Sequence, residues 1–419
     1  MSVKVIRLIK LSLASTIVSL LVISPIVPAA VSAALTNTSL SATVASFSVK
    51  GNEVLLPDGR IFVPEGISIY GGLEDTDYME NTANLDAQII ASALYWHANT
   101  VRLQVSETNL FDHLKRGQTY NTQFLSELIR EVKLARSYNL AVVINDQTEF
   151  TSNLPAPTKV TAKFWQVMGQ TFGNWPYVIF DLFNEPRLTT ANVNHVNLQK
   201  KGIRLLLHIN QLNIPHHRHK TQHATPTSMW NYWKYGGKLG GISYVGMQNL
   251  VNQIRSAGYN NLVWVEGLSW GQSLPSGQYL LSGTNIVYSF HHVNLNRQSY
   301  WRFIGNLAAI RPVVDGEWSQ YQSPWEECYS SAPLNAPKYL NYLKLHNVGL
   351  IAWSLQAGSL LKGRISITPA NNNSPGDPIH PYQLKTPSSF SKNYQCNNHY
   401  GEGVGSLIKR YFNANAQPL

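Results

Sequence analysis

Short, almost continuously hydrophobic runs recur along the chain, and each run is four to seven residues long. Unbroken apolar runs of this length are typical of parallel strands that are covered on both faces, because neither side of such a strand meets water. The pattern predicts eight strands: Ile67–Tyr70, Thr100–Val105, Ala141–Asn145, Tyr177–Phe183, Leu262–Glu266, Ile286–His291, Pro312–Gly316 and Gly349–Ser354.

Stretches with apolar residues at helical spacing separate these strands. The spacing predicts helices over Leu85–His97, Gln123–Tyr138, Thr161–Phe172, Tyr244–Ala257, Tyr300–Leu307, Pro337–His346 and Ser406–Phe412. A repeated alternation of strand and helix predicts an α/β fold, the (β/α)8 TIM barrel, which typically takes about 250 residues. Before the first strand, Val54–Leu56 and Arg60–Val63 flank the turn Pro57-Asp58-Gly59. This pattern predicts an N-terminal β-hairpin that closes the bottom of the barrel.

The N-terminal residues have the features of a secretory signal. Lys4, Arg7 and Lys10 precede the apolar run Leu11–Pro28, and small residues follow it at Val31–Ala33. We interpret residues 1–34 as a signal peptide; an uncleaved membrane anchor is the alternative, because the run is near spanning length. We therefore expect a secreted, extracellular protein with no membrane association after cleavage. We assign residues 35–48 to a flexible lead-in and residues 49–419 to one catalytic barrel domain.

The positive charge is concentrated after the fourth predicted strand. The chain has a formal net charge of +10, and residues 186–265 contain nine Lys or Arg and no Asp or Glu. The gap between strands four and five predicts an insertion at about residues 188–228. Because its charges are not interleaved with stacking aromatics, a solvated loop is favoured over a nucleic-acid platform. Five of the six histidines of the insertion lie between residues 208 and 223, and we interpret them as surface residues and not as a metal site: His208, His216, His217, His219 and His223.

Composition excludes several classes of protein. Hydrophobic residues make up 44% of the chain and charged residues 13%, which excludes a mainly disordered chain. The chain has two cysteines, so a four-thiolate zinc site and a disulfide-dense scaffold are excluded. Cys328 and Cys396 fall in the predicted loops after strands seven and eight, which emerge on the same face of a barrel. In an exported protein we expect them to form a disulfide.

Polar residues stand where several predicted strands end. Arg102 lies on strand two, Asn184-Glu185 follows strand four, His291 ends strand six, Glu317 follows strand seven and Trp353 lies on strand eight. In a barrel, residues at the C-terminal ends of the strands point into the active site. Two carboxylates facing each other across the mouth are the groups that glycoside hydrolysis requires.

At these positions the sequence resembles glycoside hydrolase family 5, the cellulase-like retaining β-glycanases. The matching segments are Asn99–Arg102, Phe183–Pro186, Tyr288–His291, Gly316–Trp318 and Ala352–Ser354. The resemblance implies that Glu185 is the acid/base and Glu317 the nucleophile. It also implies that Asn184 bonds the sugar 2-hydroxyl, Arg102 keeps Glu317 ionised, His291 lines the site and Trp353 stacks beneath the sugar. The implied substrate is a polysaccharide, β-1,4-glucan first, with mannan and other β-glucans as alternatives. We expect a monomer that requires no metal or cofactor.

Two positions depart from the family pattern. Gln147 stands where the family usually has a histidine after strand three, and Val293 stands where it commonly has a tyrosine that touches the nucleophile. Tyr288 and Tyr321 are candidates to replace that tyrosine. The departures suggest an alternative, a non-catalytic polysaccharide-binding barrel. The presence of both glutamates favours an active enzyme.

A second motif indicates a different chemistry. Gly267–Gly271 matches the G-x-S-x-G nucleophile elbow around Ser269, which would suggest a serine esterase. That motif carries chemistry only where a helix follows the turn, and Pro275 and Gly277 shortly downstream disfavour a helix. We therefore interpret this segment as the loop after strand five, with Trp270 lining the cleft.

Overall fold

Eight parallel strands close into a barrel, which confirms the predicted TIM-barrel fold. The computed structural model describes residues 46–74, 82–112, 114, 116–148, 154–173, 175–188, 226–239, 241–291, 298–318, 332–355, 360 and 405–419. The barrel strands are β3 (Glu65–Ile69), β4 (Thr100–Val105), β5 (Ala141–Asp146), β6 (Val178–Asp181), β9 (Val263–Glu266), β10 (Ile286–Phe290), β11 (Val313–Trp318) and β12 (Gly349–Ala352). They are hydrogen-bonded in this order, and β12 pairs with β3 to close the ring.

Helices separate the strands along the chain and cover the outer face of the barrel. They are α1 (Thr82–Leu94), α2 (Glu107–Phe111), α3 (Thr122–Ser137), α4 (Lys159–Phe172), α5 (Pro226–Tyr235), α6 (Met247–Ser256), α7 (Gln298–Ala308), α8 (Ala332–Leu345) and α9 (Gly405–Asn415). Buried side chains of alternate strand positions, such as Val101, Phe180 and Tyr288, share one apolar cluster with the helices. Among the described residues, no helix is both long and apolar enough to cross a membrane.

A hairpin closes the bottom of the barrel, as predicted, but with different strands. β1 (Ser48–Lys50) pairs with β2 (Glu53–Leu55), and the segment after the predicted turn contributes an isolated bridge between Leu55 and Ile61. Four buried residues of this region pack against inward-facing residues from six barrel strands: Phe47, Val54, Leu56 and Phe62. Because Phe47 is 2% exposed, the folded unit begins before the predicted end of the lead-in at residue 48.

The chain between β6 and β9 contains two elements that periodicity did not reveal. Helix α5 leads directly into a second hairpin, β7 (Gly236–Leu239) with β8 (Ile242–Val245). The Trp233 indole of α5 is buried and donates a 2.8 Å hydrogen bond to the Glu266 carbonyl at the end of β9. The last residues of this excursion therefore pack against the barrel mouth. Most of the predicted insertion, residues 189–225, lies outside the described residues, as do Cys328 and Cys396.

The residues from Val44 to Leu419 form one compact unit, and all described residues belong to it. The predicted signal peptide lies outside them.

Candidate active site

Arg102 occupies the centre of the barrel mouth and is fully buried. Its Nε lies 3.0 Å from Asp181 Oδ2, and its Nη2 lies 2.6 Å from Asn184 Oδ1 and 3.0 Å from Glu266 Oε1. Its Nη1 lies 3.6 Å from Glu317 Oε1. Burial alone would lower the pKa of Arg102, but the carboxylates of Asp181, Glu317 and Glu266 raise it above its ordinary value. Arg102 is therefore a permanent cation that connects the ends of β6, β9 and β11.

The chain after β6 is held so that Glu185 faces the mouth. The Trp165 indole of α4 donates to the Leu182 carbonyl at 2.9 Å, and the backbone N–H of Asn184 donates to the backbone carbonyl of Asp146 at 2.8 Å. Glu185 has a φ of 46°, a left-handed conformation that costs a non-glycine residue about 1–2 kcal/mol. Its backbone N–H donates a 2.7 Å hydrogen bond to Glu266 Oε2. Since this partner is charged, the bond helps to stabilise the unfavourable backbone geometry.

The environment of Glu185 favours the protonated carboxyl. Its side chain is 26% exposed and lies at the opening of the site. Burial raises the pKa of Glu185, and the charges of Glu317 and Glu266 add to this, although His291 acts in the opposite direction. The net effect is a raised pKa, which is what a general acid needs near neutral pH.

Glu317 reaches the mouth because β11 contains a bulge. The register of β11 with β12 shifts between Asp315 and Trp318, and such irregularities redirect side chains beside active sites. The residue before Glu317 is glycine, and a Cβ at Gly316 would lie 2.2 Å from Ser289 Oγ. On the outer face, the Tyr339 hydroxyl of α8 donates to Asp315 Oδ2 at 2.5 Å. The strand is thus fixed on its outer face while Glu317 turns toward the mouth.

His291 contacts all three glutamates of the site. Its Nδ1 lies 3.0 Å from Glu185 Oε1 and 2.9 Å from Glu317 Oε2, and its Nε2 lies 3.2 Å from Glu266 Oε1. Burial lowers the pKa of His291, but the carboxylates of Glu266 and Glu317 outweigh it and raise the pKa well above the ordinary value. These carboxylates therefore favour the protonated ring, which lies between the two predicted catalytic carboxylates.

The two predicted catalytic glutamates lie close together. One carboxylate oxygen of Glu185 and one of Glu317 are no more than 4.8 Å apart, and a ring nitrogen of His291 is within the same distance of both. These three residues have the donor atoms of a metal site. However, each of them already lies within 3.0 Å of an oppositely charged or hydrogen-bonding partner in the cluster, which argues against a need for a metal ion. Our expectation that no metal is required stays a prediction.

The remaining predicted site residues lie around this cluster. Trp353 is partly buried, and Tyr70 contacts its ring edge-on at 5.6 Å between centroids. Gln147 is buried at the end of β5 and accepts a 3.2 Å hydrogen bond from Gln104. Trp270 is 40% exposed, and its backbone N–H donates to the Pro186 carbonyl at 3.2 Å, so its loop lies directly beside Glu185.

Tyr288 does not lie in the site, and the prediction that it contributes there disagrees with the structure. Its ring is fully buried in the cluster between strands and helices, and its hydroxyl accepts a 2.7 Å hydrogen bond from the Leu281 amide. The physical reason is the alternation of a strand: with Ser289 and His291 facing inward, Tyr288 must face outward. Val293 and Tyr321 lie outside the described residues.

Ser269 lacks the structural context of a nucleophile elbow. The chain after it turns, and Ser273 forms an isolated bridge with Leu268 instead of starting a helix. The Gly271 carbonyl in this turn accepts a 3.0 Å hydrogen bond from the His291 amide. The segment is therefore a loop that packs beside the site, as interpreted from the sequence, and the strand–turn–helix geometry of an esterase is not formed here.

Glu266 and Asp181 belong to the site although the sequence analysis did not select them. Both are fully buried, and both contact Arg102. Burial and the charge of Glu266 raise the pKa of Asp181 to about 7. Burial would raise the pKa of Glu266 also, but His291, Arg102 and the Glu185 amide lower it below its ordinary value. Each ends an observed buried strand. Glu266 also ends a predicted strand, which was a signal available in the sequence, whereas Asp181 lies inside the predicted strand Tyr177–Phe183.

Comparisons with known proteins agree with this geometry. The family model of cellulases, glycosyl hydrolase family 5, matches residues 65–214, which include Arg102, Asn184 and Glu185. A search of curated proteins finds no match.

Solved structures with the same fold include a β-glucanase from Saccharophagus degradans, with 16% identity, a TM-score of 0.54 and coverage of 90% of this chain and 95% of that one. They also include the catalytic domain of endoglucanase Cel5A from Thermobifida fusca, with 14% identity, a TM-score of 0.52 and coverage of 88% and 98%. At these identities the likeness concerns the fold. The family match covers the first four barrel strands and the segment of Glu185, so this part of the chain is similar to glycosyl hydrolase family 5.

Proposed function

We propose that this glycoside hydrolase is secreted and cleaves β-1,4-glucan with retention of configuration, using Glu185 as acid/base and Glu317 as nucleophile. The observation that supports this most directly is the separation of at most 4.8 Å between oxygens of the two carboxylates. Retaining glycosidases place their carboxyl groups about 5–5.5 Å apart, whereas inverting enzymes need roughly 6.5–9.5 Å to admit a water molecule.

The electrostatics support this division of roles. Glu185 has a raised pKa and can supply the proton that the leaving oxygen needs. Glu317 has Arg102 Nη1 at 3.6 Å and His291 Nδ1 at 2.9 Å from its oxygens. Two carboxyl groups in different environments are thereby suited to different roles.

In the first step, a Glu317 oxygen bonds to the anomeric carbon while the glycosidic C–O bond breaks and Glu185 protonates the departing oxygen. The product is a glycosyl ester on Glu317, and Glu185 is now ionised. In the second step, Glu185 takes a proton from water, the water oxygen bonds to the anomeric carbon, and Glu317 leaves as a carboxylate. Two inversions give net retention.

Aromatic residues support a sugar-polymer substrate. Trp353 is partly buried beside the acid pair and Trp270 is exposed on the neighbouring loop; both can offer a flat apolar face to a sugar ring. The structural relatives are described as a β-glucanase and an endoglucanase, and one structure of the former contains cellotetraose. These descriptions favour β-glucan first, with mannan as the alternative substrate.

Export is proposed from the basic start and apolar run of residues 1–34. A secreted location would give the enzyme access to an extracellular polymer and would permit the Cys328–Cys396 disulfide. Mass spectrometry of the protein collected from culture medium tests both, because cleavage after the signal and loss of two hydrogens each change the mass. An intact N-terminus on a cell-bound protein would contradict the secretion proposal.

The proposed activity is tested with carboxymethyl cellulose, mannan, xylan and mixed-linkage glucan, by release of reducing sugar. NMR of the first product formed from a soluble cello-oligosaccharide should show the β anomer before mutarotation. A 2-deoxy-2-fluoro-β-cellobioside with a good leaving group should label the peptide that contains Glu317, and the Glu317→Gln protein is the control that should stay unlabelled. An α anomer would contradict the retaining mechanism. Binding without release of sugar from any polymer would favour the non-catalytic barrel.

A further inference from the structure

Glu266 is a buried carboxylate that lies behind the two proposed catalytic groups. It is the last residue of β9 and is fully buried. Its Oε2 accepts the Glu185 amide at 2.7 Å, and its Oε1 lies 3.2 Å from His291 Nε2 and 3.0 Å from Arg102 Nη2. Because the side chain is fully buried, it can influence the reaction only through these neighbours.

Glu266 contacts the backbone of Glu185, the proposed acid/base. Glu185 has a φ of 46°, a conformation that persists in a non-glycine residue only where surrounding contacts hold it. The bond to Glu266 joins a carboxylate to the N–H of that same residue, and charge-assisted bonds of this type are short and strong. Loss of the acceptor would allow the peptide to relax and would move the Glu185 carboxyl relative to the leaving oxygen.

The contact with His291 concerns the ring that joins the two catalytic carboxylates. Glu266 lies at Nε2, whereas Glu185 and Glu317 both lie at Nδ1. The approach of Glu266 Oε1 to Nε2 is a charge contact without hydrogen-bond geometry, and a fixed carboxylate at this distance favours the protonated ring in the orientation that faces it. The Nδ1 atom is then held 3.0 Å from the acid/base and 2.9 Å from the nucleophile.

We propose that Glu266 is a positioning residue of the hydrolytic site: it holds the Glu185 backbone and the His291 ring so that the acid/base aligns with the leaving oxygen. This inference rests on the proposed function. If Glu266 has this role, its replacement should slow the reaction most on substrates for which proton donation to the leaving group limits the rate.

The test compares two aryl β-cellobiosides on the full-length protein. Phenyl β-cellobioside needs protonation of its leaving group, whereas the 2,4-dinitrophenyl compound does not. Glu266→Gln should lower kcat/KM for the phenyl substrate about 10- to 100-fold, within the range of general acid catalysis, because kcat/KM reports the step that forms the covalent intermediate. For the dinitrophenyl substrate, the loss in kcat/KM should be much smaller.

Glu131→Gln is the matched control, because Glu131 is also fully buried but lies on α3 and pairs with Arg130. It should leave both substrates and their ratio unchanged. Equal losses of Glu266→Gln on the two substrates, or no loss, would overturn the proposal. If Glu266→Gln does not fold, Glu266→Asp carries the same test, because it keeps the charge but is one methylene too short to reach both partners.

A second readout needs no substrate and separates this inference from the proposed function. In NMR of isotope-labelled protein, the titration of the His291 ring should move down by about one pH unit or more in Glu266→Gln, since an adjacent carboxylate is removed. An unchanged titration would contradict the proposed role in holding His291. A wild-type protein inactive on every glycoside, with the His291 shift still present, would refute the proposed function alone.

Discussion

The Nδ1 atom of His291 lies 2.9 Å from Glu317 Oε2, and the two residues lie on or beside strands that are neighbours in the barrel. The sequence has Val293 where glycoside hydrolase family 5, which it resembles, commonly has a tyrosine that touches the nucleophile. His291 itself supplies a polar contact to Glu317. The same ring atom lies 3.0 Å from Glu185 Oε1, so one side chain supports both carboxylates.

We expect the contribution of His291 to stability to depend on pH. Its folded pKa is raised by Glu266 and Glu317, so the stabilisation is fully present below the unfolded pKa of about 6.5 and is lost as pH rises through the folded value. Denaturant unfolding of the wild type and of His291→Gln at several pH values checks this. The difference in unfolding free energy should be largest in acid and shrink toward alkaline pH; a difference that does not vary with pH would contradict it.

The two glutamates should separate chemically when each is replaced. Glu185→Gln should lower kcat on the order of 10²- to 10⁴-fold, because it removes the general acid. Glu317→Gln should lower it more on every substrate, because the covalent step is lost. Circular dichroism and the melting temperature serve as controls for the fold in both variants.

Azide should distinguish the roles. With an activated aryl glycoside, Glu317→Ala plus azide should give the inverted glycosyl azide, since azide replaces the nucleophile. Glu185→Ala plus azide should give the retained product, because azide then attacks the covalent intermediate. The opposite assignment of anomers by NMR would reverse the two roles.

The bottom of the barrel should affect stability without affecting catalysis. Phe47 is 2% exposed and stacks on Phe62 at 4.6 Å between ring centroids, on the face opposite the mouth. Phe47→Ala should lower the free energy of unfolding by about 3–5 kcal/mol, the usual cost of such a cavity. At a temperature where the variant remains folded, kcat should equal that of the wild type. A large loss of kcat at full folding would show that the two ends of the barrel are coupled.

The barrel could be predicted from the sequence because its strands are buried on both faces. The run Ala141–Ile144, for example, is buried at every position and therefore appears as an unbroken apolar pattern. The position of the active site could be predicted because barrel geometry brings the C-terminal ends of such strands together. The assignment of Tyr288 was wrong although the information was present, because alternation from His291 already places Tyr288 on the outer face.

Other features of the fold and of the site could not be predicted from the pattern of hydrophobic residues. Glu266 ends a predicted strand and Asp181 lies inside one, but no local pattern tells which of these carboxylates will meet Arg102, since that depends on barrel register. Helix α5 and the β7–β8 hairpin follow a basic stretch without acidic residues, and the four glycines from Gly236 to Gly241 obscure the period of both strands. The bulge that turns Glu317 inward became recognisable only through the pairing of β11 with β12.

Removal of metal ions should leave the activity unchanged. Donor atoms of Glu185, His291 and Glu317 lie within 4.8 Å of one another. However, both glutamates already contact His291, and Glu317 also lies near Arg102. We therefore expect full activity after prolonged incubation with EDTA and gel filtration. Loss of activity that Mn²⁺ or Zn²⁺ restores would instead assign this trio to a metal, and His291→Gln would then abolish the restoration.

Trp270 should contribute to sugar binding more than to bond cleavage. It is 40% exposed, and its loop is joined to the acid/base segment by the hydrogen bond to the Pro186 carbonyl. Its ring can therefore stack on a sugar beside the cleaved bond without touching the reacting atoms. Trp270→Ala should raise KM for cello-oligosaccharides about 3- to 10-fold, equivalent to roughly 0.5–1.5 kcal/mol of aromatic contact, with kcat nearly unchanged. Phe303→Ala is the matched control, because Phe303 is a 48% exposed aromatic on α7 and should leave KM unchanged. A fall in kcat at constant KM in Trp270→Ala would show that this loop acts on Glu185 and His291, which it borders, and does not bind the sugar.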